Sequence, residues 1–239
     1  GGWSDISKYT MDGVAPGRCW SVCMSRGREM NGKVRHSLRL TAMLYLLDYG
    51  AGNIQSLANS LTKLGYTYEW VREPSDISKA DKLLFPGVGS FASAMDALHA
   101  KGYVEPLRAY IQSGKPLMGI CVGMQVLFEG SDESPGVQGL GIVPARVGRF
   151  ATQDAFGRKA VPHMGWSLAN VVEWDGCADQ RHELAKSYGM HDANPSHYYF
   201  VHSYRVAWDA NVAEWALTTT QYGNCLLYTS PSPRDKRQS

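Results

Sequence analysis

The residues best suited to covalent chemistry are Gly119-Ile120-Cys121-Val122-Gly123, set between an apolar run and a helical pattern. A cysteine at a sharp strand-to-helix turn is a nucleophile elbow with sulfur in place of a serine hydroxyl. Such a turn forces its central residue into a strained conformation and needs neighbours without side chains, which the two glycines supply. At the start of a helix the dipole favours the thiolate, and the Val122 N–H is expected to face a developing oxyanion. The competing reading is a buried core cysteine, the commoner fate of this residue type. The strand–Gly-x-Cys-x-Gly–helix setting favours the nucleophile.

An elbow needs a sheet behind it. Met43–Leu47 reads as a buried strand ending in a turn at Asp48-Tyr49-Gly50-Ala51-Gly52-Asn53. Apolar residues at Ile54, Leu57, Ala58, Leu61 and Leu64 mark one face of a helix, with Asn53 as its N-cap and Gly65 as its stop. Strands are expected at Tyr66–Val71, at Lys82–Phe85 before Pro86-Gly87-Val88-Gly89, and at Pro116–Ile120. Helices are expected around Phe91–His99, Val104–Ile111 and Val122–Phe128. Strands alternating with helices at this spacing predict βαβ units and a mainly parallel sheet. Beyond residue 140 the pattern turns to short β-like runs at Ile142–Val147, Tyr198–Tyr204 and Glu214–Thr219, with Asp175–Ser196 as a polar loop.

The whole sequence has 239 residues and a net charge of +2. Lys and Arg exceed Asp and Glu by four over residues 1–42 and by two over residues 225–239, so the middle carries −4. That acidic middle argues against a nucleic-acid surface. No apolar run reaches the ~20 residues of a membrane helix. Five scattered cysteines do not form a secreted disulfide framework. Cys19 and Cys23 lack a second pair or a histidine at ligand spacing, and His182, His191 and His197 lack it too, so no metal or other cofactor is expected. Residues 1–42 read as a basic leader, either a transit peptide or a disordered extension. The segment from Cys225 resembles a translated sequencing adaptor, which places the natural unit at residues 43–224.

Gly119-Ile120-Cys121-Val122-Gly123-Met124-Gln125, with Pro86-Gly87-Val88-Gly89 upstream, resembles the class I glutamine amidotransferases. Three further segments narrow the likeness to the glutaminase parts of imidazole glycerol phosphate synthases. They are Leu47–Asn53, Pro162-His163-Met164-Gly165-Trp166 and Tyr199-Phe200-Val201-His202-Ser203-Tyr204. The resemblance implies an α/β, flavodoxin-like class I glutaminase fold, with a mainly parallel central sheet, helices on both faces and a smaller β-rich region. It implies hydrolysis of L-glutamine to glutamate and ammonia through a thioester on Cys121, with the ammonia passed to a (β/α)₈ cyclase, fused or separate. The matching positions imply an oxyanion hole from the N–H groups of Val88 and Val122, with Gly87 and Gly89 shaping the turn. They imply substrate contacts from Gln125, Glu133, Ser203 and Tyr204, and a cyclase-facing surface at Asn53 and Trp166. A cytoplasmic location is expected, or a plastid if residues 1–42 are a transit peptide.

One departure stands out. The family's base is a His in a His-Pro-Glu motif, and this sequence has no His after His202. The chain as written is therefore expected to lack turnover, because a thioester needs a proton relay to ammonia and an activated water. His202 matches the substrate-side strand and is read as structural, and His163, beside Trp166, as positional or interfacial. Two other functions stay open at this point: a non-catalytic binding module on the same fold, or the glutaminase of another synthase. A dinucleotide-binding reading of Gly50-Ala51-Gly52 fails, because its third glycine position holds Gln55.

Overall fold

Apolar residues on the central strands alternate between two faces, and helices cover both. The computed structural model describes residues 23–24, 42–50, 54–154, 157–158, 160–171, 197–207, 212, 215–216, 218–222 and 225–229. Strand β1 (Cys23–Met24) runs antiparallel to β5 (Leu117–Cys121). The other partners, β2 (Leu44–Leu47), β3 (Tyr68–Val71) and β4 (Lys82–Gly87), are parallel to β5, in the order β1-β5-β4-β2-β3. Leu44 and Leu46 of β2, Leu84 of β4 and Ile120 of β5 bury one face against Leu57, Ala58 and Leu61 of helix α1 (Ile54–Lys63). Leu47, Leu83, Phe85 and Leu117 face the other way. They meet α2 (Pro74–Lys79), α3 (Phe91–Ala100) and α4 (Val104–Gln112) in the larger core. This two-sided cover makes the expected doubly wound α/β sheet.

Helix α2 was not legible as apolar periodicity, since Ile77 is its one buried residue. It starts on Pro74, with the Asp76 carboxylate accepting from the Arg72 and Glu73 N–H groups. The Lys115 ammonium donates to the Ser78 and Ala80 carbonyls at its far end.

The helix after the elbow differs from expectation. Instead of running to Phe128, α5 (Val122–Gln125) makes a single turn, and Phe128 already opens β6 (Phe128–Ser131). The Leu140 N–H donates to the Val126 carbonyl at 2.7 Å, and Gly139 lies so close to Phe128 that a Cβ there would collide with its carbonyl. The chain is thereby drawn into a second sheet of β7 (Ser134–Gln138), β8 (Val143–Arg149) and later β14 (Tyr204–Val206), in the order β14-β8-β6-β7.

Smaller pairings complete the β-rich part: β9 (Gln153–Asp154) with β10 (Gly157–Arg158), and β11 (His163–Leu168) with β13 (His197–His202). Strand β15 (Thr218–Tyr222) lies between β12 (Asn170–Val171) and β16 (Cys225–Thr229). Cys225–Thr229 thus continues the strand pattern that the sequence reading ended at Asn224. It pairs antiparallel with Thr218–Tyr222. The expected N-cap Asn53 and the loop Asp175–Ser196 lie outside the described residues, as does most of residues 1–42. No described helix is long and apolar enough to cross a membrane.

Candidate functional site

In open α/β sheets, sites form beyond the carboxyl ends of the strands. Here β5 delivers Cys121, β4 delivers Gly87, and the chain leaving β2 delivers Tyr49. Cys121 takes φ 55° and ψ −120°, the one positive φ outside glycine among the described residues. A non-glycine residue persists in such a conformation only where its surroundings over-determine it. Those surroundings are backbone. Gly87 sits opposite Cys121 in the ladder. A Cβ on Gly87 would fall far inside 3.0 Å of the Gly123 nitrogen, and one on Gly123 equally close to the Phe85 carbonyl oxygen. A Cβ on Gly119 would lie 2.8 Å from the Gly123 oxygen. Three glycines therefore let strand, elbow and turn pack main chain against main chain.

The turn beside the elbow carries Val88, half exposed at 50%, and Gly89 at φ 102°. Gln125, one helical turn after Cys121, is buried. Glu133 reaches the same neighbourhood from β7's leading end. Its Oε2 accepts from the Phe91 N–H at 2.8 Å, at the N-terminus of α3, where Ser90 Oγ also accepts from the Ser93 N–H. That carboxylate is thus anchored to the helix following the 86–89 turn. Ser203 and Tyr204 lie at the start of β14, where the Ser203 carbonyl accepts from the Phe150 N–H. Tyr204 packs against the same core as Cys121 and Met124.

Sequence reading gave Tyr49 no role. Its ring lies edge-on to Phe85 with centroids 5.6 Å apart, and its hydroxyl is buried without a hydrogen-bond partner. Burial pushes the phenol up to about 12, the nearby Val88 backbone N–H opposes this, and the charge of Cys121 adds to it. The sequence signal for the turn is Asp48, whose Oδ1 accepts from the Gly50 N–H at 2.8 Å.

His202 donates from Nδ1 to the Tyr204 carbonyl at 2.8 Å, so its Nε2 is the acceptor for His163 Nδ1–H at 3.2 Å. His163 Nε2 then accepts from Ser167 Oγ at 3.0 Å. This chain of bonds fits two neutral rings and excludes two cationic ones. Burial and then the His202 charge lower His163 to about 4. Burial lowers His202 as well, opposed by the Tyr204 carbonyl and aided by Arg205. Tyr222 stacks on the His163 ring at 4.0 Å.

Between pH 6.5 and about 4 the unfolded chain therefore binds more protons than the folded one, and stability falls as pH drops through that window. Melting temperature is expected to decline from pH 7 to pH 5, and His163→Gln to flatten the decline. Parallel pH dependences in the two chains would refute this assignment.

On the opposite face of β11, Met164 and Trp166 are each 60% exposed. Trp166 lies edge-on to Tyr199 at 5.6 Å, its cross-strand partner.

The sequence profile of the family described as Glutamine amidotransferase class-I matches residues 45–229. Imidazole glycerol phosphate synthase hisHF of Emericella nidulans is 44% identical over 183 residues, covering 75% of this chain and 31% of that protein. The chloroplastic imidazole glycerol phosphate synthase hisHF of Arabidopsis thaliana is 41% identical over 194 residues, 81% of this chain and 30% of its own length. Imidazole glycerol phosphate synthase subunit HisH of Desulfitobacterium hafniense is 42% identical over 165 residues, 69% of this chain and 71% of the subunit. The chain thus spans about a third of the length of the fungal and plant relatives and most of the length of the bacterial subunit.

Proposed function

The chain belongs to the class I glutamine amidotransferase family, and from that premise we propose that it is the glutamine-hydrolysing part of an imidazole glycerol phosphate synthase. The observation that carries the proposal is Cys121, held at positive φ where β5 meets α5 and directly across from Gly87. Its sulfur attacks the carboxamide carbon of L-glutamine, and the N–H groups of Val88 and Val122 hold the oxyanion. Collapse of that intermediate forms the thioester as the C–N bond breaks, and the departing nitrogen takes up the proton lost from the thiol and leaves as ammonia. Gln125, Glu133, Ser203 and Tyr204 hold the amino-acid end of the substrate. The Glu133 carboxylate, with one oxygen on the Phe91 N–H, keeps its other for the ammonium.

Ammonia passes to a cyclase, either a separate subunit or part of the same polypeptide. Trp166 faces it, Asn53 is the second position that the family likeness assigns to this surface, and the exposed Met164–Trp166 pair suits a covered surface. The compartment is the cytoplasm, or a plastid if the basic leader over residues 1–42 is a transit peptide. The relative from Arabidopsis thaliana is named chloroplastic.

The 239 residues contain no His-Pro-Glu. The polypeptide as written is therefore expected to acylate without sustained turnover. The test is covalent labelling of Cys121 by an electrophilic glutamine analogue, followed by peptide mass spectrometry. L-Glutamine is expected to protect Cys121, and L-asparagine is not. Equal labelling in the presence and absence of L-glutamine would leave a non-catalytic module on the same fold as the better reading.

A further inference from the structure

The Tyr49 hydroxyl is the buried polar group that the site, as described, leaves without work. Tyr49 is 2% exposed, and its oxygen lies 3.0 Å from where a Cβ on Gly87 would stand. The same point is flanked by the Val122 carbonyl carbon and the Gly123 nitrogen. The hydroxyl is therefore lodged between the turn that carries Val88 and the elbow that carries Cys121. Its neighbours there are main-chain atoms, the Val88 N–H among them, and no acceptor stands within hydrogen-bond distance of its O–H. Buried hydroxyls are nearly always partnered, so an orphan beside a strained cysteine calls for a ligand or a charge that is not always present.

We propose that the Tyr49 hydroxyl is a donor reserved for negative charge at Cys121, making Tyr49 a positioning residue that stabilises the ionised sulfur. This rests on the reading of Cys121 as nucleophile. In the thiol state the O–H dipole has nothing to answer. When the thiol loses its proton, the sulfur becomes a full anion whose charge reaches the phenol, and the O–H, on a ring held by packing on Phe85, turns towards it. The phenol itself stays protonated throughout, since burial holds it near 12.

Few other charges compete at this point. On the elements packed against the elbow, Asp96 and His99 of α3 and Glu129 of β6 are exposed, and Lys82 lies at the opposite end of β4. The Glu133 carboxylate is engaged by the Phe91 N–H. The Asp48 carboxylate is engaged by the Gly50 N–H, and the Lys101 ammonium is on the Asp48 carbonyl.

The experiment is the rate of Cys121 alkylation by iodoacetamide as a function of pH. The full chain is used, the peptide containing Cys121 is read by mass spectrometry, and the wild type is compared with Tyr49→Phe. The phenylalanine keeps the ring on Phe85 and removes only the orphan oxygen. The expected result is a profile displaced upward by half a pH unit or more, hence alkylation about threefold slower at neutral pH. The melting temperature is expected to be unchanged or higher. Superimposable profiles would overturn the proposal. So would a lower melting temperature, which would mean that the hydroxyl serves a structural bond. A wild-type midpoint near the ordinary thiol value of about 8.5 counts against the nucleophile reading itself. The difference between the two chains then decides Tyr49 alone.

Discussion

Replacing Cys121 by alanine is expected to abolish capture of an electrophilic glutamine analogue, by roughly three orders of magnitude or more. Replacing it by glycine should abolish capture equally and yet yield a more stable protein. The two substitutions separate chemistry from conformation. Both remove the sulfur. Alanine keeps a Cβ at φ 55° and so keeps the strain, whereas glycine adopts that conformation freely. A residue held in such a region costs on the order of 1–3 kcal/mol. The glycine variant is therefore expected to exceed the alanine variant by about 1 kcal/mol in denaturant unfolding. Labelling that persists in the alanine chain would move the nucleophile to another residue. Equal stability of the two variants would mean that the elbow stores no strain.

The largest effect on folding is expected from Gly123→Ala. Its added Cβ would overlap the Phe85 carbonyl oxygen, with Phe85 fully buried in the middle of β4. A side chain in the way could turn aside; a carbonyl already in a sheet cannot do so without parting β4 from the elbow. The destabilisation is expected to exceed about 4 kcal/mol, enough to leave a marginal domain largely unfolded. Gly50→Ala is the control. Gly50, unlike Gly123, has a positive φ, 94°, and nothing stands within 4 Å of its would-be Cβ. It should lose about 1 kcal/mol through backbone strain alone. A loss at Gly123 no larger than that at Gly50 would mean that the close approach of the elbow to β4 is relieved at little cost.

Much of the central sheet was legible in the sequence, because its buried residues follow the period of the element that carries them. Leu44 and Leu46 point to one side and Leu47 to the other; Leu57, Ala58 and Leu61 return at helical spacing. The nucleophile's setting was legible too, since an apolar run, two glycines and a cysteine are local information. Other features depend on distant partners. Helix α5 stops after one turn because Gly139 and Leu140, thirteen and fourteen positions beyond Val126, draw the chain away. Helix α2 forms on caps and on Lys115 rather than on an apolar face. The pairing of His163 with His202 spans 39 residues, and the Glu133 bond to the Phe91 N–H spans 42. Nothing in either segment alone announces its partner. The Tyr49 hydroxyl was the least legible, because a tyrosine at a strand end ordinarily sends its oxygen to water.

The interlocked glycines also limit how this site can be repaired. A collision between two side chains is relieved by trimming either one, so most damaging substitutions have second-site suppressors. At Gly87, Gly119 and Gly123 most of the atoms in the way are peptide atoms, and no residue is smaller than glycine. Shortening Phe85 would leave its carbonyl where it is. A chain damaged at one of these positions can return only by reversion or by sliding a whole strand, which would break the Gly87–Cys121 register that defines the site. In a library selected for recovered folding, true revertants should dominate at these three positions, while pseudorevertants should be common around the side-chain-packed Leu57 and Leu107.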